Sequence, residues 1–87
     1  MPTVNIASPL RSYTQGAASV RANGATVEQL LADLDRRFPG IRFRMIDEQD
    51  RIRQHIRIFI NTESVGDLSR NVRDIDVVHL ICALSGG

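Results

Sequence analysis

Gly86 and Gly87 close the 87-residue sequence, and the carboxylate behind them is the group whose chemistry is easiest to name. Glycine has no side chain, so a Gly-Gly tail can thread a narrow channel and present an unhindered carboxylate. A carboxylate of that kind can be activated by ATP and then loaded with sulfur or joined to an amine. The other reactive groups are fewer. Cys82 is the single cysteine, and on an apolar strand such a residue reads as a small hydrophobe. His79 and Cys82 lie three apart, which puts them on opposite faces of a strand and rules out a shared metal. His55 and His79 can share a face, but two ligands without a third make a weak site, and both read as surface histidines.

The elements that must position the tail follow from periodicity. Thr3-Val4-Asn5-Ile6-Ala7 alternates polar and apolar and predicts a strand, which Ser8-Pro9 ends. A loop runs through Gly16, and Ala18 to Ala22 alternates again, so the two strands form a hairpin. Val27, Leu30, Leu31, Leu34 and Phe38 mark one face of a helix. Thr26 with Gln29 fits a capping box at its start, and Pro39-Gly40 stops it. Ile41 to Arg53 is charged and reads as an irregular connection. Ile56, Ile58 and Ile60 share one face of a strand over 55–60, Asn61 to Ser64 reads as a turn, and Gly66 to Arg73 as a loop or helical turn. A turn over Asp74-Ile75-Asp76 leads into a last strand, Val77 to Cys82. The order is β-β-α-β-β, an α+β chain with a mixed sheet and one main helix packed across it. The expected organisation is a single domain over 1–87 whose last residues, about 83–87, form a flexible tail.

Composition narrows the function classes. An apolar share of 43% and a charged share of 24% belong to a folded globular chain. One cysteine excludes an internal disulfide and fits a reducing compartment. The start Met1-Pro2-Thr3 has no basic region or long apolar run, and no stretch approaches the roughly 20 apolar residues of a membrane span, so a cytoplasmic protein without membrane contact is expected. All eleven basic residues are arginine, so no lysine side chain is available as a conjugation acceptor. Seven of them fall between Arg36 and Arg57. The acids Asp33, Asp35, Asp47, Glu48 and Asp50 offset them and aromatic interleaving is sparse, so a solvated surface is favoured over nucleic-acid binding. Gly66-Asp67-Leu68-Ser69 has the wrong residue order for a phosphopantetheine site, and such carriers are helical bundles.

In order, length and Gly-Gly end the chain resembles the ubiquitin-like β-grasp sulfur carriers. That family includes the small subunit of molybdopterin synthase, the thiamine sulfur carrier and the actinobacterial carrier of cysteine biosynthesis. The first loop, Leu10-Arg11-Ser12-Tyr13-Thr14-Gln15-Gly16, and the run Val20 to Thr26 are similar to the cysteine-biosynthesis type. Phe38-Pro39-Gly40-Ile41 resembles the family's helix end, and Ile58-Phe59-Ile60-Asn61 its strand end. Ile75 stands where the family usually has glycine, which predicts a different turn, and Cys82 stands where it often has proline.

The resemblance implies a cycle in which this chain is a carrier and not an enzyme. An adenylating/sulfurtransferase partner of the ubiquitin-activating (E1-like) kind would use ATP to convert the Gly87 carboxylate into an acyl-adenylate. A sulfide or persulfide donor would then leave a thiocarboxylate for a sulfur-accepting biosynthetic enzyme, either cysteine synthase-like or the molybdopterin synthase large subunit. No cofactor is expected to be bound by the chain itself. Strand alternation supplies a docking surface. With Ile56, Ile58 and Ile60 facing the helix, His55, Arg57 and Phe59 face away; with Val78, Leu80 and Cys82 facing it, Val77, His79 and Ile81 face away. The candidate partner-binding residues are therefore Phe59, Ile81, Leu84, Ser85 and Gly86, an apolar patch adjoining the tail. A small subunit of molybdopterin synthase, and a ubiquitin-like modifier or interaction domain, stand as alternatives.

Overall fold

The computed structural model describes residues 1–83. Its five strands are β1 (Thr3–Ile6), β2 (Ser19–Arg21), β3 (Ile56–Ile60), β4 (Glu63–Val65) and β5 (Val77–Cys82). They form one mixed sheet in the order β2-β1-β5-β3-β4. β1 and β2 are the antiparallel hairpin read from the sequence. The central pair, β1 and β5, runs parallel, with Val4 opposite Val78 and Ile6 opposite Leu80. A 3₁₀ turn over Ser8–Leu10 opens the first loop.

Helix α1 (Val27–Arg37) lies across one sheet face and buries Val27, Leu30, Leu31 and Leu34 completely. Those side chains meet Val4, Ile6, Ile58, Val78 and Leu80 in one core, the expected partner of a one-sided apolar stripe. Thr26 caps the helix, its hydroxyl accepting from the Gln29 N–H at 3.2 Å. The reciprocal bond differs from the expected box: the Gln29 amide oxygen accepts from Ala25 N–H at 2.9 Å, one residue earlier than Thr26. Phe38 is the C-cap, half-buried and packed against the core. Gly24 precedes this helix start, and a Cβ there would stand 2.5 Å from the Leu30 backbone nitrogen. The close approach of loop to helix therefore requires glycine.

Three expectations are corrected. The stretch after Gly40 is not an irregular connection: Ile41–Met45 is a second, short helix, α2, and Ile46 forms an isolated bridge with Ile52. Ile41, Met45 and Ile46 are fully buried. The Asp35 carboxylate accepts from the N–H groups of Gly40 and Arg42 at 3.0 and 3.1 Å, starting α2 where α1 has just ended. Arg42 then ties α2 down, donating from Nε and Nη2 to Glu28 at 3.1 and 2.8 Å and from Nη2 to Asp50 at 3.2 Å. The turn read over Asn61–Ser64 is shorter than expected, because Glu63 and Ser64 already belong to β4, paired antiparallel with β3. The sheet therefore has five strands where the sequence reading had four.

Asn61 makes the sharp β3–β4 turn possible. It holds φ at +55°, a left-handed conformation that asparagine tolerates better than most residues. Its side chain also fastens the beginning of β5, donating to Asp76 at 3.0 Å and accepting from Val77 N–H at 3.0 Å. Asp76, only 4% exposed, accepts further from the Arg73 N–H at 2.8 Å. The Arg73–Asp76 turn closes with Asp76 N–H donating to the Arg73 carbonyl at 3.0 Å. Ile75 within it keeps a negative φ, which is why glycine is dispensable there.

The Arg73 backbone N–H, then the Asn61 amide and the Arg73 guanidinium, hold the Asp76 carboxyl below its ordinary value against the opposing effect of burial. A carboxyl depressed on folding adds stability above its unfolded value, near pH 4, and that stability is lost as pH falls toward the folded value. Asp76→Asn is accordingly expected to flatten the acid limb of a pH-dependent melting curve below about pH 4. Equal acid slopes for the two proteins would contradict this assignment.

Candidate functional site

The last described stretch of β5 leaves the sheet between its two neighbours. On one side Ala7 N–H donates to the Leu80 carbonyl at 3.0 Å. On the other, Ala83 N–H donates to the His55 carbonyl at 2.7 Å. These bonds anchor β5 on both sides up to Ala83. Leu84, Ser85, Gly86 and Gly87 lie outside the described residues.

The β3–β5 register builds the surface beside that exit. Arg57 stands opposite Ile81 and Phe59 opposite His79. On an antiparallel pair this makes Phe59 and Ile81 diagonal neighbours on the sheet face away from α1. The alternation expected for both strands is observed: Ile56, Ile58, Ile60, Val78 and Leu80 are buried, whereas Arg57 and Ile81 are exposed. Ile81 is 40% exposed, one of few large apolar side chains so open, while Phe59 is half-buried. The face is thus a checkerboard of apolar and basic groups, with Phe59 and Ile81 on one diagonal and Arg57 and His79 on the other. His79 Nδ1 lies 3.2 Å from the Asn5 side-chain amide across the β1–β5 pair.

Cys82 pairs with Ile56 at the sheet margin and is partly buried against the core. Burial pushes its thiol above the ordinary value, and the charge of Arg44 opposes that push. A raised thiol is a poor nucleophile at neutral pH, consistent with the small-hydrophobe reading. Among the described residues no group of three or more His, Cys, Asp or Glu side chains is placed to hold a metal ion, and no helix is long and apolar enough to cross a membrane.

Sequence reasoning put Arg57 on the outer face but did not connect it to Ile81, and it passed over Arg44 and Arg53 as solvated charges. Arg53 Nε donates to the Phe43 carbonyl at 2.8 Å while its guanidinium stacks 4.6 Å from the centre of the Phe43 ring. The signal for this neighbourhood is cross-strand register and the fold of α2, both set by residues far apart in sequence.

Comparison with known proteins agrees with this geometry. The sulfur carrier protein CysO of Mycobacterium tuberculosis is 33% identical over 90 residues, spanning 98% of this chain and 97% of that protein. A chain in the crystal structure of the Amycolatopsis orientalis BexX/CysO complex superposes with a TM-score of 0.93 at 36% identity, with both chains covered in full. The crystal structure of Mycobacterium tuberculosis CysO gives 0.91 at 31% identity, covering 97% of this chain and all of that one. Small archaeal modifier protein 1 from Haloferax volcanii, at 24% identity and a TM-score of 0.81 over 98% of this chain and 97% of that one, shares the fold. The fold is therefore the ubiquitin-like β-grasp, and the CysO relatives are sulfur carriers, not enzymes. Residues 4–87 match the ThiS family, and the chain belongs to it.

Proposed function

We propose that this protein is a sulfur carrier whose Gly87 carboxylate cycles through an acyl-adenylate to a thiocarboxylate. The observation that carries the reading is the family match running through Gly87, behind a strand anchored on both sides up to Ala83. A carboxylate is a poor electrophile, and adenylation gives it a leaving group. One carboxylate oxygen attacks the α-phosphorus of ATP and pyrophosphate departs. Hydrosulfide then attacks the acyl carbon, AMP departs with the shared oxygen, and sulfur remains on Gly87 as a nucleophile that need not be released as free sulfide. The catalytic groups and the ATP site belong to the adenylating partner. Gly86, Ser85 and Leu84 enter the partner's channel, and Ile81 and Phe59 contact its rim.

The sulfur acceptor is proposed to be a biosynthetic enzyme in a cysteine or related thiolation route, supported by the likeness to CysO of mycobacteria. The neighbour solved as a BexX/CysO complex supports a mode of action through protein partners. A cytoplasmic setting fits a carrier that meets ATP-dependent enzymes.

The first step is reversible and can be read without sulfur. Adding the protein to the host's adenylating enzyme is expected to produce exchange of labelled pyrophosphate into ATP that depends on the concentration of this chain. Exchange that ignores the chain, across the host's adenylating enzymes, would contradict the proposal.

A further inference from the structure

Arginines without a carboxylate partner are distributed unequally along β5. Six arginines pair with carboxylates among the described residues: Arg36 and Arg37 with Asp33, Arg42 with Glu28 and Asp50, Arg51 with Asp47, Arg70 with Glu63, and Arg73 with Asp76. Arg11, Arg21, Arg44, Arg53 and Arg57 make no ion pair there. Arg21 sits opposite Thr3, at the end of the sheet where β5 begins. Arg11, Arg44, Arg53 and Arg57 all belong to the other end, where the tail departs.

Arg57 stands beside Ile81 by register, its Nη1 donating to the carbonyls of Gln54 and Ile56 at 2.7 and 3.0 Å. Arg44 is exposed on α2 and close enough to Cys82 to act on it electrostatically. Arg53 rests on Phe43, itself 58% exposed, with Asp47 in its electrostatic range but no ion pair between them. Arg11 bonds the Ile6 carbonyl at 2.9 Å on the β1 side. The end where β5 begins carries Glu63, Asp74 and Asp76, whereas at the other end Glu28, Asp50 and Asp67 line the same cavity as Arg53 and Arg57, the first two held by Arg42.

We propose that Arg44, Arg53 and Arg57 form a basic collar around the tail exit that docks on an acidic protein surface rimming the partner's tail-accepting cleft. The occupant follows from charge complementarity and layout. The three arginines are spread over α2, the segment after it and β3, and Arg53 and Arg57 already donate to the carbonyls of Phe43, Gln54 and Ile56, which disfavours a shared small anion. They interleave with Ile81 and Phe43, the mixture of arginine and apolar side chains that protein interfaces favour. Complementary charge of this kind steers encounter and fixes orientation, and here it would aim the tail at the cleft. The inference rests on the carrier reading and gives its partner a chemistry.

The test is the KM of the host adenylating enzyme for this chain, from pyrophosphate exchange at several salt concentrations. The double reversal Arg44→Glu/Arg57→Glu is expected to raise KM about tenfold or more with kcat nearly unchanged. Arg21→Glu, at the far end, is expected to match the wild type. The neutral pair Arg44→Gln/Arg57→Gln is expected to weaken the dependence of KM on salt, and serves if the reversal compromises folding by circular dichroism. An unchanged KM and salt slope in a folded double variant would overturn the proposal, as would an equal loss in Arg21→Glu. Salt-sensitive binding of a mixed-sequence single-stranded RNA that the double variant loses, with KM unmoved, would overturn it in favour of nucleic acid. No exchange with the wild-type chain would contradict the carrier reading itself, and the collar with it.

Discussion

Deleting Gly86 and Gly87 is expected to abolish sulfur loading while leaving the melting temperature within a degree or so of the wild type. The two effects separate because the groups that would react and the groups that fold the chain are different. Among the described residues the buried core on β5 reaches Leu80, with Cys82 packed against it, and the last backbone bond runs from the Ala83 N–H to the His55 carbonyl. Shortening the chain beyond that point removes no buried apolar side chain described here. It does remove the carboxylate that the adenylating partner must reach, and Ser85 would end too far back to replace it. Thermal melting together with single-turnover loading checks both halves. Residual loading above a few per cent of wild type would mean that the reacting group lies elsewhere.

Leu31→Ala is expected to have the largest effect on folding. Leu31 is completely buried on the stripe of α1 that faces the sheet. Truncating it removes apolar contact and leaves a cavity, which costs about 2–5 kcal/mol in a well-packed core. Domains of this size often have only about 5–10 kcal/mol of total stability, and each kcal/mol lost shifts the midpoint by about 4–8 °C. Chemical denaturation should show a lower midpoint with an unchanged slope. A loss under about 1 kcal/mol would mean that α1 is not the main lid of this core.

The sequence disclosed the parts of the fold whose signals are local. Helix α1 was legible because four side chains repeat at helical spacing and Thr26 supplies its own cap. The faces of β3 and β5 were legible because alternation is a property of each strand alone. Helix α2 was not. It has five residues, too few for a period to declare itself, and its supports come from Asp35, Glu28 and Asp50. Strand β4 was missed because Glu63-Ser64-Val65 is a short, mostly exposed edge whose identity lies in its pairing with Ile58, Phe59 and Ile60.

The site divided in the same way. The carboxylate chemistry proposed for the tail is read from residue types alone, and the family match extends through residue 87. Alternation puts Phe59 and Ile81 on the outer face, as observed, but their diagonal placement and the interposed Arg57 and His79 depend on a register between strands more than 15 residues apart. The grouping of Arg44 and Arg53 with the tail exit depends on α2, which the sequence did not reveal. Long-range pairing, and not residue type, is what separated the legible half of the site from the rest.

The most direct test of the central claim is the intact mass of this protein after incubation with ATP, a sulfide source and the host's adenylating enzyme. A gain equal to the exchange of one oxygen for sulfur is expected, confined to the C-terminal peptide and absent when Gly86 and Gly87 are deleted. An unchanged mass for a folded chain that the enzyme nevertheless adenylates, or a gain equal to an amine conjugate, would contradict sulfur carriage and turn the reading to a ubiquitin-like modifier.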